Sequence, residues 1–174
     1  MGSVVVGSHL YYISGRNGNS TGSMVYDDLL DFDSSSQTWR ARVGGTGIRR
    51  YNPVVVPMGK QGFVLWGGVS GDGSSSSSSS SEMGLLDDVS SFDVVKGLWA
   101  ADIDQGRTSP AMMNSRPPPR AAQAVGWDTT TGVVLEFGGM RSSSSSSSSM
   151  VYTDELYVYK VIDGVGVVWT GETY

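Results

Sequence analysis

The sequence predicts an all-β fold built from three successive copies of a four-strand unit. Three observations carry that prediction. A short apolar run closed by glycine occurs three times: Leu10-Tyr11-Tyr12-Ile13-Ser14-Gly15, Phe63-Val64-Leu65-Trp66-Gly67-Gly68 and Val133-Val134-Leu135-Glu136-Phe137-Gly138-Gly139. Each is followed, across a polar loop, by a segment that starts acidic and carries an aromatic ring: Asp28 to Asp33, Asp88 to Asp93 and Asp154 to Tyr159. No apolar period of 3.6 persists anywhere, whereas 24 Gly and 29 Ser supply turn-forming residues throughout.

The first strand of each unit precedes the glycine-closed run. Ser3 to Val6, Pro53 to Val56 and Ala121 to Trp127 fill this place. The turns that follow are Gly7-Ser8-His9, Met58 to Gly62 and Asp128 to Gly132, rich in residues that accept positive φ or bond their own backbone. The glycine-closed run is the second strand and the acidic–aromatic segment the third. The fourth holds Trp39, Trp99 or Trp169, at seven, seven and ten residues from the aromatic of the third strand. Unit boundaries fall at 1–49, 50–117 and 118–174. Two runs of eight serines, 74–81 and 142–149, sit between the second and third strands of units two and three. They read as loops without specific chemistry.

Bulk composition narrows the function. With 39% hydrophobic and 17% charged residues, the chain is apolar enough for a packed core. A net charge of −5 repels phosphate backbones, so nucleic acid is excluded as a partner class. There is no cysteine, hence no disulfide, no cysteine zinc site and no thiol nucleophile. No stretch reaches the ~20 apolar residues of a membrane helix, and the N-terminus does not read as a signal peptide.

The glycine-closed strand, the aromatic of the third strand and the following Trp, in that order three times, resemble the kelch repeat. Unit two matches most fully. Unit one departs with Ser14 in place of the first glycine, and unit three with its longer aromatic-to-Trp gap. The family's Arg ahead of the first strand is matched by Arg50 and Arg120. The resemblance implies a kelch-type β-propeller of three four-stranded antiparallel blades. Since closure needs ~4–8 blades, it implies a partial propeller, part of a six- or seven-bladed whole. The open faces then call for the remaining blades, a protein partner, or a second copy as a homodimer.

Some members of this superfamily are copper-radical oxidases, which need a Tyr–Cys cross-link and two His ligands. This chain has no Cys and a single His, His9, which reads as a solvated turn residue. Specifier-type iron sites lack their acidic–His pattern here as well. Asp28, Asp88 and Asp154 recur at one place in the unit and read as structural acids at the start of a strand. No cofactor, metal or catalytic constellation is expected.

The candidate partner-binding residues lie on loops that leave the second strand or lead into the first: Arg16, Asn17, Arg50, Tyr51, Asn52, Ser70 and Arg141. Arg suits this role because its planar fork binds carboxylates bidentately. Arg120, at the family's position ahead of the strand, reads as structural. Asn19-Ser20-Thr21 is an N-glycosylation sequon, and with the low Lys content it points toward a secreted or cell-surface protein. The function expected is a non-catalytic protein-interaction scaffold. The alternatives are a carbohydrate-binding or adhesive propeller, or part of an enzyme whose active site lies in other blades.

Overall fold

The computed structural model describes residues 1–17, 24–42, 45–70, 84–101, 117–143, 146–162 and 166–173. The sequon at Asn19 and the serine run 74–81 lie outside them. The described residues are all-β, with three four-stranded antiparallel sheets and two short ribbons. Among the described residues, no helix is long and apolar enough to cross a membrane.

Sheet 1 comprises β1 (Gly2–Val6), β2 (His9–Arg16), β3 (Val25–Asp33) and β4 (Thr38–Arg42), in that spatial order. Sheet 2 comprises β6 (Val54–Met58), β7 (Gly62–Trp66), β9 (Val89–Asp93) and β10 (Leu98–Ala101). Sheet 3 comprises β11 (Ala124–Trp127), β12 (Val133–Phe137), β15 (Leu156–Ile162) and β16 (Gly166–Thr173). Each is a meander, so every neighbour in space is the next strand of the sheet in sequence. The ribbons pair β5 (Arg50–Tyr51) with β8 (Val69–Ser70), and β13 (Met140–Ser143) with β14 (Ser146–Tyr152). Ser142, Ser143 and Ser146 to Ser149 therefore contribute backbone to a strand pair where a loop was expected. Polyserine has no alternation of side chains to announce a strand, and the pairing is set by its flanks, Met140 with Tyr152 and Arg141 with Val151.

Burial alternates along β1, with Gly2, Val4 and Val6 inside and Ser3 and Val5 outside. All five residues of β7 are buried, because sheet 2 is covered on both faces. On one face Val55, Phe63, Leu65 and Phe92 pack against Val4, Val6, Tyr11, Ile13 and Leu29 of sheet 1. On the other, Val54, Val56, Val64, Trp66 and Val89 pack against Val134, Tyr157, Tyr159, Val161 and Val167 of sheet 3. The partner of Ile13 in β1 is Gly2, of Trp66 in β6 is Val54, and of Phe137 in β11 is Ala124. With the sheets aligned on these pairs, each one lays the same face on its predecessor. The array is open at both ends: Val5, Leu30 and Trp39 of sheet 1, and Leu135 and Phe137 of sheet 3, are 40–60% exposed.

Candidate functional site

The glycine pair at the end of β7 organises the loops around the first cleft. Gly67 and Gly68 have φ of +65° and +95°. A Cβ on Gly68 would stand 2.8 Å from the Tyr51 carbonyl oxygen. Only glycine meets both demands without strain. The tight passage lets the Gly68 N–H donate to the Arg120 carbonyl at 2.9 Å, tying sheet 2 to the chain leading into sheet 3.

Arg50 and Arg120 sit beneath these crossings and are 0% and 2% exposed. Arg50 donates from Nη1 to the Gly67 carbonyl (3.1 Å) and to Asp88 Oδ1 (2.8 Å), and from Nη2 to Asp88 Oδ2 (2.6 Å). Arg120 repeats the arrangement, with Nη1 on the Gly138 carbonyl (3.2 Å) and Nη2 on Glu155 Oε2 (2.8 Å). Its guanidinium also lies 4.4 Å from the centre of the Tyr157 ring. The burial of Arg50 corrects its placement among loop-face residues: its charge is taken up inside the chain. Burial raises Glu155, but the Arg120 hydrogen bond and the Arg120 and Arg141 charges outweigh it and hold the carboxyl below its ordinary value. The acid that matches Asp88 is thus Glu155 rather than Asp154. Each lies four residues ahead of the buried aromatic of its strand, Phe92 or Tyr159.

Four of the other candidates meet in one cleft of about 770 Å3 between sheets 1 and 2. Arg16 and Asn17 come from the end of β2, Tyr51 and Asn52 from the chain leading into β6. Met1, Tyr12, Ser14, Tyr26 and Asp28 are among the other residues of the wall. The Arg16 guanidinium stands over the Tyr51 ring at 5.4 Å from its centre. Arg16 is exposed and has no ion pair or side-chain hydrogen bond among the described residues. Asn17 accepts from the Met24 N–H at 2.7 Å. Asn52 adopts φ +53°, which Asn tolerates better than most residues. Ser70 and Arg141 lie outside this cleft. Ser70 pairs with Arg50 in the β5–β8 ribbon, and Arg141 stands 3.7 Å from Glu155, beside Arg120.

His9 is not a free turn residue. It opens β2, and its Nδ1 lies 2.7 Å from Oδ1 of Asp31, which is wholly buried. Arg42 grips the other oxygen of Asp31 through Nε (3.0 Å) and Nη2 (2.6 Å). Sequence spacing does not reveal this triad, since its members come from β2, β3 and β4 and meet only across the sheet. The Tyr11 ring stacks on His9 and its hydroxyl hydrogen-bonds with Arg42, and the Arg42 guanidinium balances the charge of the buried carboxylate. Among the described residues, no three side chains able to ligate a metal gather at one place.

A second cleft, of about 760 Å3, lies at the opposite strand ends. Lys60, Gln61 and the Asp128–Thr131 turn line it. Its acid is engaged locally: Asp128 accepts from the Thr130 N–H and the Thr131 hydroxyl, which lower its pKa.

The solved structure of YjhT is similar to this chain, with a TM-score of 0.65 at 13% identity, over 96% of this chain and 50% of that one. The likeness is one of fold. The chain spans about half the length of YjhT, and its stacked four-stranded sheets form a β-propeller-like arrangement. No family model matches the sequence, and no curated protein matches it.

Proposed function

We propose that this chain is a run of three kelch-type blades from a larger propeller, and that it works as a non-catalytic scaffold for a protein partner. The partner docks in the cleft of Arg16, Asn17, Tyr51 and Asn52. The observation that carries this reading is Arg16 itself. It is exposed, propped over the Tyr51 ring, and committed to no carboxylate among the described residues. The prop restricts the exposed side chain before binding, a state that favours an acidic segment. Blades beyond these three cover the exposed apolar faces of sheets 1 and 3.

A displayed peptide library panned against the chain tests the reading. Enriched sequences should be rich in Asp and Glu, and Arg16→Ala should weaken them about tenfold or more, the scale of a charge-assisted hydrogen bond. Peptides that bind Arg16→Ala as well as the parent chain would sink it.

The tyrosines of the same cleft favour a second reading, a carbohydrate surface. Tyr12, Tyr26 and Tyr51 all line it, and flat rings with polar tips suit a sugar. A glycan array separates the two: sugar binding would fall in Tyr51→Ala and persist in Arg16→Ala.

A further inference from the structure

We infer that the wall of this cleft at Ser14 and Asp28 is a socket for the guanidinium of an arginine side chain that none of the described residues provides. The inference rests on the equivalence of the three sheets and not on the acidic partner proposed above.

In sheet 2 the buried Arg50 is clamped between the Asp88 carboxylate and the Gly67 carbonyl. In sheet 3 Arg120 is clamped between Glu155 and the Gly138 carbonyl. The pairings Ile13–Leu29, Trp66–Val89 and Phe137–Leu156 bring the three sheets into register. The residue before each third-strand partner is then Asp28, Asp88 or Glu155. The residue after each second-strand partner is Ser14, Gly67 or Gly138. Sheet 1 therefore carries both halves of the clamp.

The backbone repeats as well. Ser14 adopts φ +57°, beside +65° at Gly67 and +70° at Gly138. A serine held there is strained, and such strain persists only where the surroundings impose it. Sheet 1 thus keeps the shape of the clamp without the glycine that makes that shape easy.

Among the described residues, no arginine fills this place in sheet 1. Arg50 and Arg120 stand four residues ahead of Val54 and Ala124, the β6 and β11 residues that pair with Trp66 and Phe137 (54−50 and 124−120). The matching residue of β1 is Gly2, and four residues ahead of it lies before residue 1. The space is a cleft, lined by both Ser14 and Asp28. Ser14 is 8% exposed, and its hydroxyl oxygen is buried with no hydrogen-bond partner. Asp28 has no ion pair or side-chain hydrogen bond among the described residues, whereas both of its counterparts grip an arginine. A buried unpaired hydroxyl and an unpaired carboxylate on one wall fit a planar, multi-donor cation.

The guanidinium can come from a segment joined ahead of residue 1 or from a separate polypeptide. The probe is a capped tripeptide with a central arginine, titrated into the 15N-labelled chain, with lysine and citrulline versions alongside. The arginine peptide should shift the Ser14, Gly15 and Asp28 amides. Citrulline, isosteric but uncharged, and the Asp28→Asn chain should each weaken binding at least tenfold. Lysine should bind more weakly than arginine, lacking the fork.

In a second arm, three residues beginning with arginine are joined ahead of residue 1. A melting temperature raised in the parent but not in Asp28→Asn, with the free peptide now excluded, means a segment joined in cis. Peptide binding that survives the extension means a separate chain. Citrulline binding as well as arginine, or Asp28→Asn binding and melting like the parent in both arms, overturns the socket. The acidic-peptide test uses a ligand of opposite charge, so either proposal can fail while the other is read.

Discussion

The two interfaces between sheets each hold one buried carboxylate among the described residues and handle it differently. Between sheets 1 and 2 the centre is aromatic. Phe63 lies 5.3 Å from both Tyr11 and Phe92, and 5.6 Å from Trp99, ring centre to ring centre. The acid, Asp31, is shared by two partly exposed groups, His9 and Arg42. Between sheets 2 and 3 the acid stands in the core. Glu136 is 0% exposed and accepts from Trp66 Nε1 (3.0 Å), Gln123 Nε2 (3.3 Å) and the Tyr159 hydroxyl (3.3 Å). Its nearest cation, Arg120 Nε, is 3.8 Å away. One interface leans on ring packing with its charge balanced at the rim. The other is pinned by neutral donors around a carboxyl far from water, so truncation should damage the first most and pH the second most.

The largest effect belongs to the aromatic interface. Phe63→Ala removes a ring with no exposed surface and leaves a cavity that three aromatic neighbours cannot close. The cost should be about 3–5 kcal/mol, read as a lowered midpoint in urea unfolding. A loss under about 1 kcal/mol would mean that sheets 1 and 2 are not held by this cluster.

Trp66→Phe probes the other interface. It keeps most of the apolar contact with Tyr159, whose ring stands edge-on at 5.1 Å. It deletes one of the donors that satisfy Glu136. The expected loss is about 1–3 kcal/mol. Combining it with Glu136→Gln should return part of that loss, because a neutral amide tolerates the missing donor better than a carboxylate. A double variant in which the two losses simply add would uncouple the pair.

Much of this architecture was legible in the sequence because period and punctuation carry it. The glycine-closed runs became β2, β7 and β12, and the acidic–aromatic segments became β3, β9 and β15. The meeting of Arg16 and Asn17 with Tyr51 and Asn52 followed from the same topology. What was not legible depends on register and depth. Asp154 and Glu155 are adjacent acids, and only the pairing of Leu156 with Phe137 settles which one faces the arginine. Arg50 carried a usable signal, since Arg120 recurs at the same distance from its strand, yet its position in a loop argued for exposure. The His9–Asp31 contact needs the diagonal between β2 and β3, which spacing along one strand cannot supply. Glu136 gave a weaker sign: it is the one acid inside a glycine-closed run, where sheets 1 and 2 carry Tyr12 and Leu65.

That acid also provides the smallest and most specific test. Burial raises the Glu136 carboxyl above its ordinary value, and the Trp66 hydrogen bond and the Arg120 charge recover only part of the shift. In the unfolded chain the group ionises in the ordinary glutamate range. Between that range and its raised value in the fold, the unfolded chain has released the proton and the native state has not. Stability must therefore fall as pH rises through this window, and level off above it. Asp33, Asp93 and Glu155, held below their ordinary values, act in the opposite sense at lower pH. Glu136→Gln should remove the falling limb and leave the acid-side limb in place, measured as urea midpoints across pH 4 to 8. If the falling limb survives in Glu136→Gln, Glu136 is not its source, and the contrast between the two interfaces lies in packing alone.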